Sequence, residues 1–269
     1  MLLQHKVLRA LSSRAVCFEL DSLPPIPVIS GAAVSHDDLV LEARDGNRFA
    51  AFSAAPDEPS GAGIVILPDI RGLYRFYEEL ALRFAERGHA AIAFDYFGRT
   101  AGAEKRDEGF EYMPHVEQTT SEGIQADVAA AVARLREDGA TSVFTVGFCF
   151  GGRHSWLSAG GGHDLAGAVG FYGRPGVGRD GSTGPTQRAA QLEAPILALM
   201  GGADEGIPVD VVREFERALE EAGVEHEIVI YDGAPHSFFD RKFEQFADAS
   251  EDAWQRVLAF VAQRTASTR

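Results

Sequence analysis

Short, continuous apolar runs alternate along this chain with longer segments of helical spacing. Asp38–Ala43 and Arg48–Ser53 flank the turn Asp45-Gly46-Asn47 and read as a hairpin. Gly63–Leu67 is a short apolar run suited to a buried parallel strand. Tyr77–Arg87 places Leu80, Ala81 and Phe84 on one helical face and stops at Gly88. Ala90–Phe94 predicts the next strand, residues 98–114 a loop, and Ile124–Glu137 a helix ended by Gly139. Strands are predicted at Thr141–Val146, Ala166–Tyr172, Pro195–Met200 and Glu227–Tyr231, and helices at Arg153–Ala159, Val209–Ala222 and Phe243–Ala262. Strands alternating with helices imply an α/β protein with a mostly parallel central sheet and helices on both faces. In such sheets ligands bind beyond the carboxyl ends of the strands. Residues 1–37, with the irregular Pro24-Pro25-Ile26-Pro27, read as an N-terminal extension, and residues 38–269 as one domain.

Composition narrows the function classes. At 269 residues and 45% hydrophobic the chain can bury a full core. A formal net charge of -15 argues against nucleic acid as a partner, because phosphate binding needs a basic surface. No stretch approaches the length of a membrane span, and the first ten residues lack the apolar core of a secretory signal. The two cysteines, Cys17 and Cys149, are far apart, so a disulfide framework is not expected and a reducing cytoplasm is the simpler location. The histidines show no metal-ligand spacing, and neither a metal nor an organic cofactor is expected. Gly160-Gly161-Gly162 lacks the context of a phosphate loop and reads as a helix terminator.

The chemistry concentrates at Gly147-Phe148-Cys149-Phe150-Gly151-Gly152. This is the pattern of a nucleophile elbow, G-x-S-x-G, with cysteine in the place of serine. Glycine is needed on both sides because the nucleophile occupies a strained strand-to-helix turn. Two further residues fall just beyond predicted strands: Asp204 after Gly201-Gly202-Ala203, and His236 after Asp232-Gly233-Ala234-Pro235. Nucleophile, acid, histidine is the chain order of α/β-hydrolases. A thiol attacks as its thiolate, so His236 must take its proton, while Asp204 would fix the imidazole tautomer. The oxyanion hole should combine the Phe150 N–H with one from the loop Pro68-Asp69-Ile70-Arg71-Gly72. Tyr172 either lines the pocket or merely ends a strand, whereas His154 and Trp156 are expected to pack within their helix and His89 has no evident partner.

These residues together resemble the dienelactone hydrolase family of carboxymethylenebutenolidase-like α/β-hydrolases. The resemblance runs from about residue 38 to 262 and is carried by Gly147–Gly152, Gly201–Asp204 and Gly233-Ala234-Pro235-His236-Ser237-Phe238. Phe94–Arg99 and Ala168–Gly173 match further family segments. It implies an α/β-hydrolase fold, a Cys149–His236–Asp204 triad, and an oxyanion hole completed by the Ile70 N–H. It also implies that a carboxylate just before that isoleucine modulates the resting thiol; here the residue is Asp69, one methylene shorter than the family's glutamate. Two arginines hold substrate anions in the family. Arg99 matches the first. The second position, four residues after the histidine, is Asp240 here, with Arg241 one step later and Arg71 as another source of positive charge.

The expected activity is hydrolysis of a small ester or lactone through a thioester acyl-enzyme, with no metal. A broad carboxylesterase or thioesterase is the alternative within enzymes, and Asp240 favours it. A redox-sensing cysteine or a non-catalytic hydrolase-fold protein is the alternative outside them, although neither would need His236 and Asp204. Oligomeric state is left open.

Overall fold

A computed structural model of the chain describes residues 22–178 and 180–267. Most of the N-terminal extension, including Cys17, lies outside the described residues. Eight strands form one sheet in the order β1-β2-β4-β3-β5-β6-β7-β8. They are β1 Val34–Glu42, β2 Arg48–Pro56, β3 Ala62–Leu67, β4 Ala90–Phe94, β5 Ser142–Phe148, β6 Gly167–Phe171, β7 Ile196–Gly201 and β8 His226–Tyr231. Only the β1–β2 and β2–β4 pairings are antiparallel; the rest are parallel. The mostly parallel sheet matches the sequence reading. The first strand differs from it, beginning at Val34 inside the expected extension, because residues 34–37 pair in register with Ser53–Pro56.

The helices are α1 Arg75–Ala85, α2 Gly98–Ala101, α3 Met113–Val116, α4 Ser121–Glu137, α5 Phe150–Ser158, α6 Val209–Ala222 and α7 Ala247–Ser267. Every residue of β3, β5 and β7 is buried, as central parallel strands require. Alternate side chains divide between two faces. Ile64, Ile66, Val146, Phe171 and Leu199 meet Phe76, Leu80 and Phe84 of α1 and Trp254, Val257 and Phe260 of α7. On the other face Val65, Leu67 and Phe94 meet Ile124, Val128 and Leu135 of α4. Beside them Ala168, Ile196 and Ala198 meet Trp156 of α5 and Phe215 and Leu219 of α6. Trp156 is fully buried and its indole N–H donates to the Leu197 carbonyl at 3.1 Å, the packing role expected of it.

Two predicted segments differ in detail. The expected loop 98–114 contains α2 and the start of α3. The last predicted helix is divided: a 3-10 turn at Phe243–Gln245 precedes α7.

Candidate active site

The sheet brings the ends of β3 to β8 into one row, and the expected chemistry sits along it. β5 ends at Phe148, Cys149 caps α5, and the glycines on either side of this turn have almost no room for a side chain. A Cβ on Gly147 would lie 2.1 Å from the Gly151 carbonyl oxygen, and one on Gly151 would lie 2.1 Å from that of Leu67. Both glycines are therefore required by close backbone approach. Cys149 itself has φ 54 and ψ -110, a conformation that a non-glycine residue adopts only when its surroundings enforce it. Its N–H donates to the Phe171 carbonyl at 3.0 Å and its carbonyl accepts from Arg153 N–H, which pins the turn on both sides. The thiol side chain is half-buried and free of any disulfide.

Asp204 and His236 meet from adjacent loops. The β7 loop is zipped to the β8 loop by Gly202 N–H to the Tyr231 carbonyl and Ala203 N–H to the Ala234 carbonyl, both 2.8 Å. A Cβ on Gly201 would come within 2.6 Å of that Ala234 oxygen, which accounts for the small residues before the aspartate. Asp204 Oδ1 accepts Gly206 N–H at 2.8 Å and Ile207 N–H at 3.2 Å. Its Oδ2 lies 2.6 Å from His236 Nδ1. The Asp204 side chain is 2% exposed and that of His236 34% exposed, so the acid is fixed inside while the imidazole reaches the surface. Nδ1 therefore bonds the acid, and Nε2 lies on the opposite side of the ring.

The loop after β3 is held from three sides. Tyr77 hydroxyl accepts Asp69 N–H at 2.8 Å, Tyr96 hydroxyl donates to the Pro68 carbonyl at 2.7 Å, and the Asp95 carboxylate accepts Leu73 N–H at 3.2 Å. Asp95 also accepts Phe97 N–H and pairs with Arg106 at 2.8 Å. Burial raises Asp95 above the usual carboxylate range, and Arg106 opposes that shift. Burial, reinforced by Asp69, Asp95 and Cys149, holds the Tyr96 phenol protonated. The sequence suggests no role for Tyr77 or Arg106, and for Asp95 and Tyr96 only that they lie in the family-like segment Phe94–Arg99. Each acts through a partner many residues away, and no local pattern signals that. Ile70 is half-buried on this loop, and the Phe150 ring packs on Tyr96 at 5.3 Å.

The residues expected to bind anions or to modulate the thiol make ion pairs and hydrogen bonds of their own. Asp69 is fully buried, and its carboxylate binds Arg71 through the backbone N–H at 2.9 Å and the guanidinium at 3.1 Å. Arg71 is 1% exposed and its guanidinium is paired with Asp69. Arg99 is similarly committed: its guanidinium bridges Asp45 at 2.8 Å and the buried Asp127 at 2.7 Å, beside the β1–β2 turn. These two ion pairs tie Arg99 to the β1–β2 turn and to α4. Arg241 is exposed, and its backbone N–H caps Asp240. Tyr172, the residue after β6, is completely buried and donates to Asp240 Oδ2 at 2.6 Å. Arg153, four residues after Cys149, gathers the carbonyls of Arg174, Gly176, Ser182 and Thr183, and thereby anchors the loop after β6.

The fold and this row of strand ends define an α/β-hydrolase. The family model for the dienelactone hydrolase family matches residues 49–265. The chain belongs to the dienelactone hydrolase family and is a hydrolase of ester or lactone bonds. It is 30% identical over 231 residues to a protein of Yersinia pestis named "putative carboxymethylenebutenolidase", covering 82% of this chain and 86% of that one. A protein of Escherichia coli K12 with the same name is 29% identical over 255 residues, covering 88% and 92%. Among solved structures, a "putative dienelactone hydrolase" from Klebsiella pneumoniae superposes with a TM-score of 0.75 at 28% identity, over 86% of this chain and 99% of that one. Among the described residues no helix is long and apolar enough to cross a membrane.

Proposed function

We propose that the chain hydrolyses a small ester or lactone by covalent catalysis at Cys149, with His236 as general base and acid and Asp204 as its orienting partner. The observation that carries this reading is the 2.6 Å contact between Asp204 and His236 at the same sheet edge as the strained Cys149 turn. His236 Nε2 takes the proton from the Cys149 thiol, and the positive end of α5 favours the thiolate. Sulfur attacks the acyl carbon and the carbonyl π electrons move to oxygen. The Ile70 and Phe150 N–H groups stabilise that oxyanion. Collapse breaks the bond to the leaving oxygen, which receives the proton from His236 and leaves a thioester; from a lactone the new hydroxyl stays tethered to the acyl group. Water then gives a proton to His236 as its oxygen attacks the thioester carbon. Collapse breaks the C–S bond and returns the thiolate and imidazolium. The net change is addition of one water, with no cofactor.

The substrate class follows from charge. Arg71 and Arg99 are both committed to carboxylates, and Asp240 occupies a position close to His236. An acyl group without its own carboxylate therefore suits the site better than an anionic dienelactone, which favours the broader esterase activity. The test is turnover of an uncharged aryl ester and of a dienelactone by the wild type and by Cys149→Ala, with intact-mass analysis of acid-quenched wild type. A Cys149-dependent acyl adduct, and faster turnover of the uncharged ester, are expected. Retained turnover in Cys149→Ala would overturn the covalent mechanism, and faster dienelactone turnover would overturn the substrate preference.

A further inference from the structure

Behind the tyrosine that packs on His236 lies a second buried acid that the mechanism above leaves unused. Asp240 is 4% exposed. Its Oδ2 accepts the Tyr172 hydroxyl at 2.6 Å, and its Oδ1 accepts the backbone N–H of Arg241. Tyr172 is 0% exposed, and its ring lies 4.9 Å from the His236 ring at an angle of 56°. Phe148 and Phe238 pack against the same phenol ring. The backbone is strained on both sides of this contact: Tyr172 has φ 38 and Ser237, next to the histidine, has φ 62. Non-glycine residues stay in that region only where neighbours over-determine them.

We propose that Asp240 and Tyr172 form a positioning pair for the catalytic imidazole, Asp240 fixing the phenol and the phenol ring fixing the face of His236, while Asp204 fixes its Nδ1. The inference rests on the reading of His236 as general base. Neither residue touches the reacting atoms; both act through the imidazole. The charged groups that face Asp240 are Asp69, itself paired with Arg71 on the loop after β3, and His236, itself paired with Asp204; Arg241 and Lys242 are exposed on its own segment. Burial pushes Asp240 up to about 6, with Asp69 adding to the rise, while the Tyr172 hydroxyl, the Arg241 N–H and His236 oppose it. Asp240 thus gains its negative charge near pH 6, and the anion then stabilises the imidazolium that forms when the thiol is deprotonated.

Three variants of the full chain test this: Asp240→Asn, Tyr172→Phe and Cys149→Ala. The readouts are kcat and KM for an uncharged ester across pH 4.5–9 and, independently of turnover, the rate of Cys149 alkylation over the same range. The pair predicts an inflection near pH 6 in wild-type alkylation. Asp240→Asn removes it and lowers kcat about tenfold with little change in KM. Tyr172→Phe keeps the ring and its packing, so it folds. It deletes a hydrogen bond that lowers the Asp240 pKa and therefore moves the inflection to higher pH. If Asp240→Asn does not fold, the direction of the Tyr172→Phe shift decides alone. Variant profiles parallel to wild type, with or without a loss of thermal stability, would overturn the pair's role. Turnover surviving in Cys149→Ala is the different failure, that of the parent mechanism.

Discussion

In the proposed mechanism Asp204 only orients His236, so substitution there should damage rate more than structure. Two backbone N–H groups hold Oδ1 and the imidazole takes Oδ2. Asp204→Asn keeps the shape but presents an amide to Nδ1, so the imidazole is stabilised in the wrong tautomer and its cation loses a counter-charge. We expect kcat to fall about 10²- to 10⁴-fold, with KM and melting temperature little changed, as steady-state kinetics and a thermal melt would read. A loss below tenfold would mean that His236 does not act through this contact. That Cys149, Asp204 and His236 fall just beyond strand ends was legible in the sequence, because each follows a short apolar run and the flanking glycines mark a steric demand. The commitments of Arg71 and Arg99 were not, because the Arg99 partner Asp127 lies 28 positions away and is brought close only by the packing of α4. The same holds for Asp240: its sequence position told of a missing arginine, but only the fold shows that it turns to Tyr172.

At the scale of elements, the elbow is one rigid unit with the loop after β3, because α5 is pressed onto the end of β3 at Gly151. A methyl group there meets the Leu67 and Pro68 carbonyl oxygens at 2.1 and 2.3 Å, and backbone cannot yield as a side chain can. Gly151→Ala should therefore push α5 and the Ile70 loop apart. A cost of about 3 kcal/mol is expected from overpacking, a fall of roughly 6 to 12 °C in melting temperature for a domain of this size, together with a loss of kcat. Gly176→Ala is the control: its nearest neighbour would be Val211 at 3.5 Å and its φ is not positive, so its melting temperature should stay close to wild type. Equal melts for the two variants would refute the tight seating of α5. The parallel strands were readable ahead of the structure because burial on both faces leaves continuous apolar runs. Helix ends were less so: α1 is two residues earlier than predicted and α7 begins only after a 3-10 turn. The short α2 and α3 are too brief to show a helical period.

Over the whole molecule, opposing titrations decide how the fold responds to acid. Relief of repulsion favours the folded state as pH falls from 7, because the chain carries a formal net charge of -15. Asp240 acts in the same direction between its ordinary carboxylate range and about 6, since the folded protein there binds a proton that the unfolded chain does not. Two buried histidines act against it. His89 is lowered to about 4 by burial and by Arg87, with its Nδ1 2.9 Å from the Ser60 hydroxyl, the partner that the sequence did not reveal. His154 is lowered to about 3 by burial, with Arg153 adding to the effect, and its Nδ1 is buried with no hydrogen-bond partner among the described residues. For each, the unfolded chain binds the proton first, so stability is lost as pH falls below about 6.5. His154 can be isolated experimentally because a leucine there buries no orphaned nitrogen and takes no proton. The stability gap between His154→Leu and wild type should be constant above pH 7. It should widen in favour of the variant by about 2 kcal/mol between pH 6.5 and pH 5, close to 1.4 kcal/mol per unit. Urea denaturation at each pH measures that gap. If it does not change with pH, His154 is not held neutral in the fold, and the acid limb of stability must come from other groups.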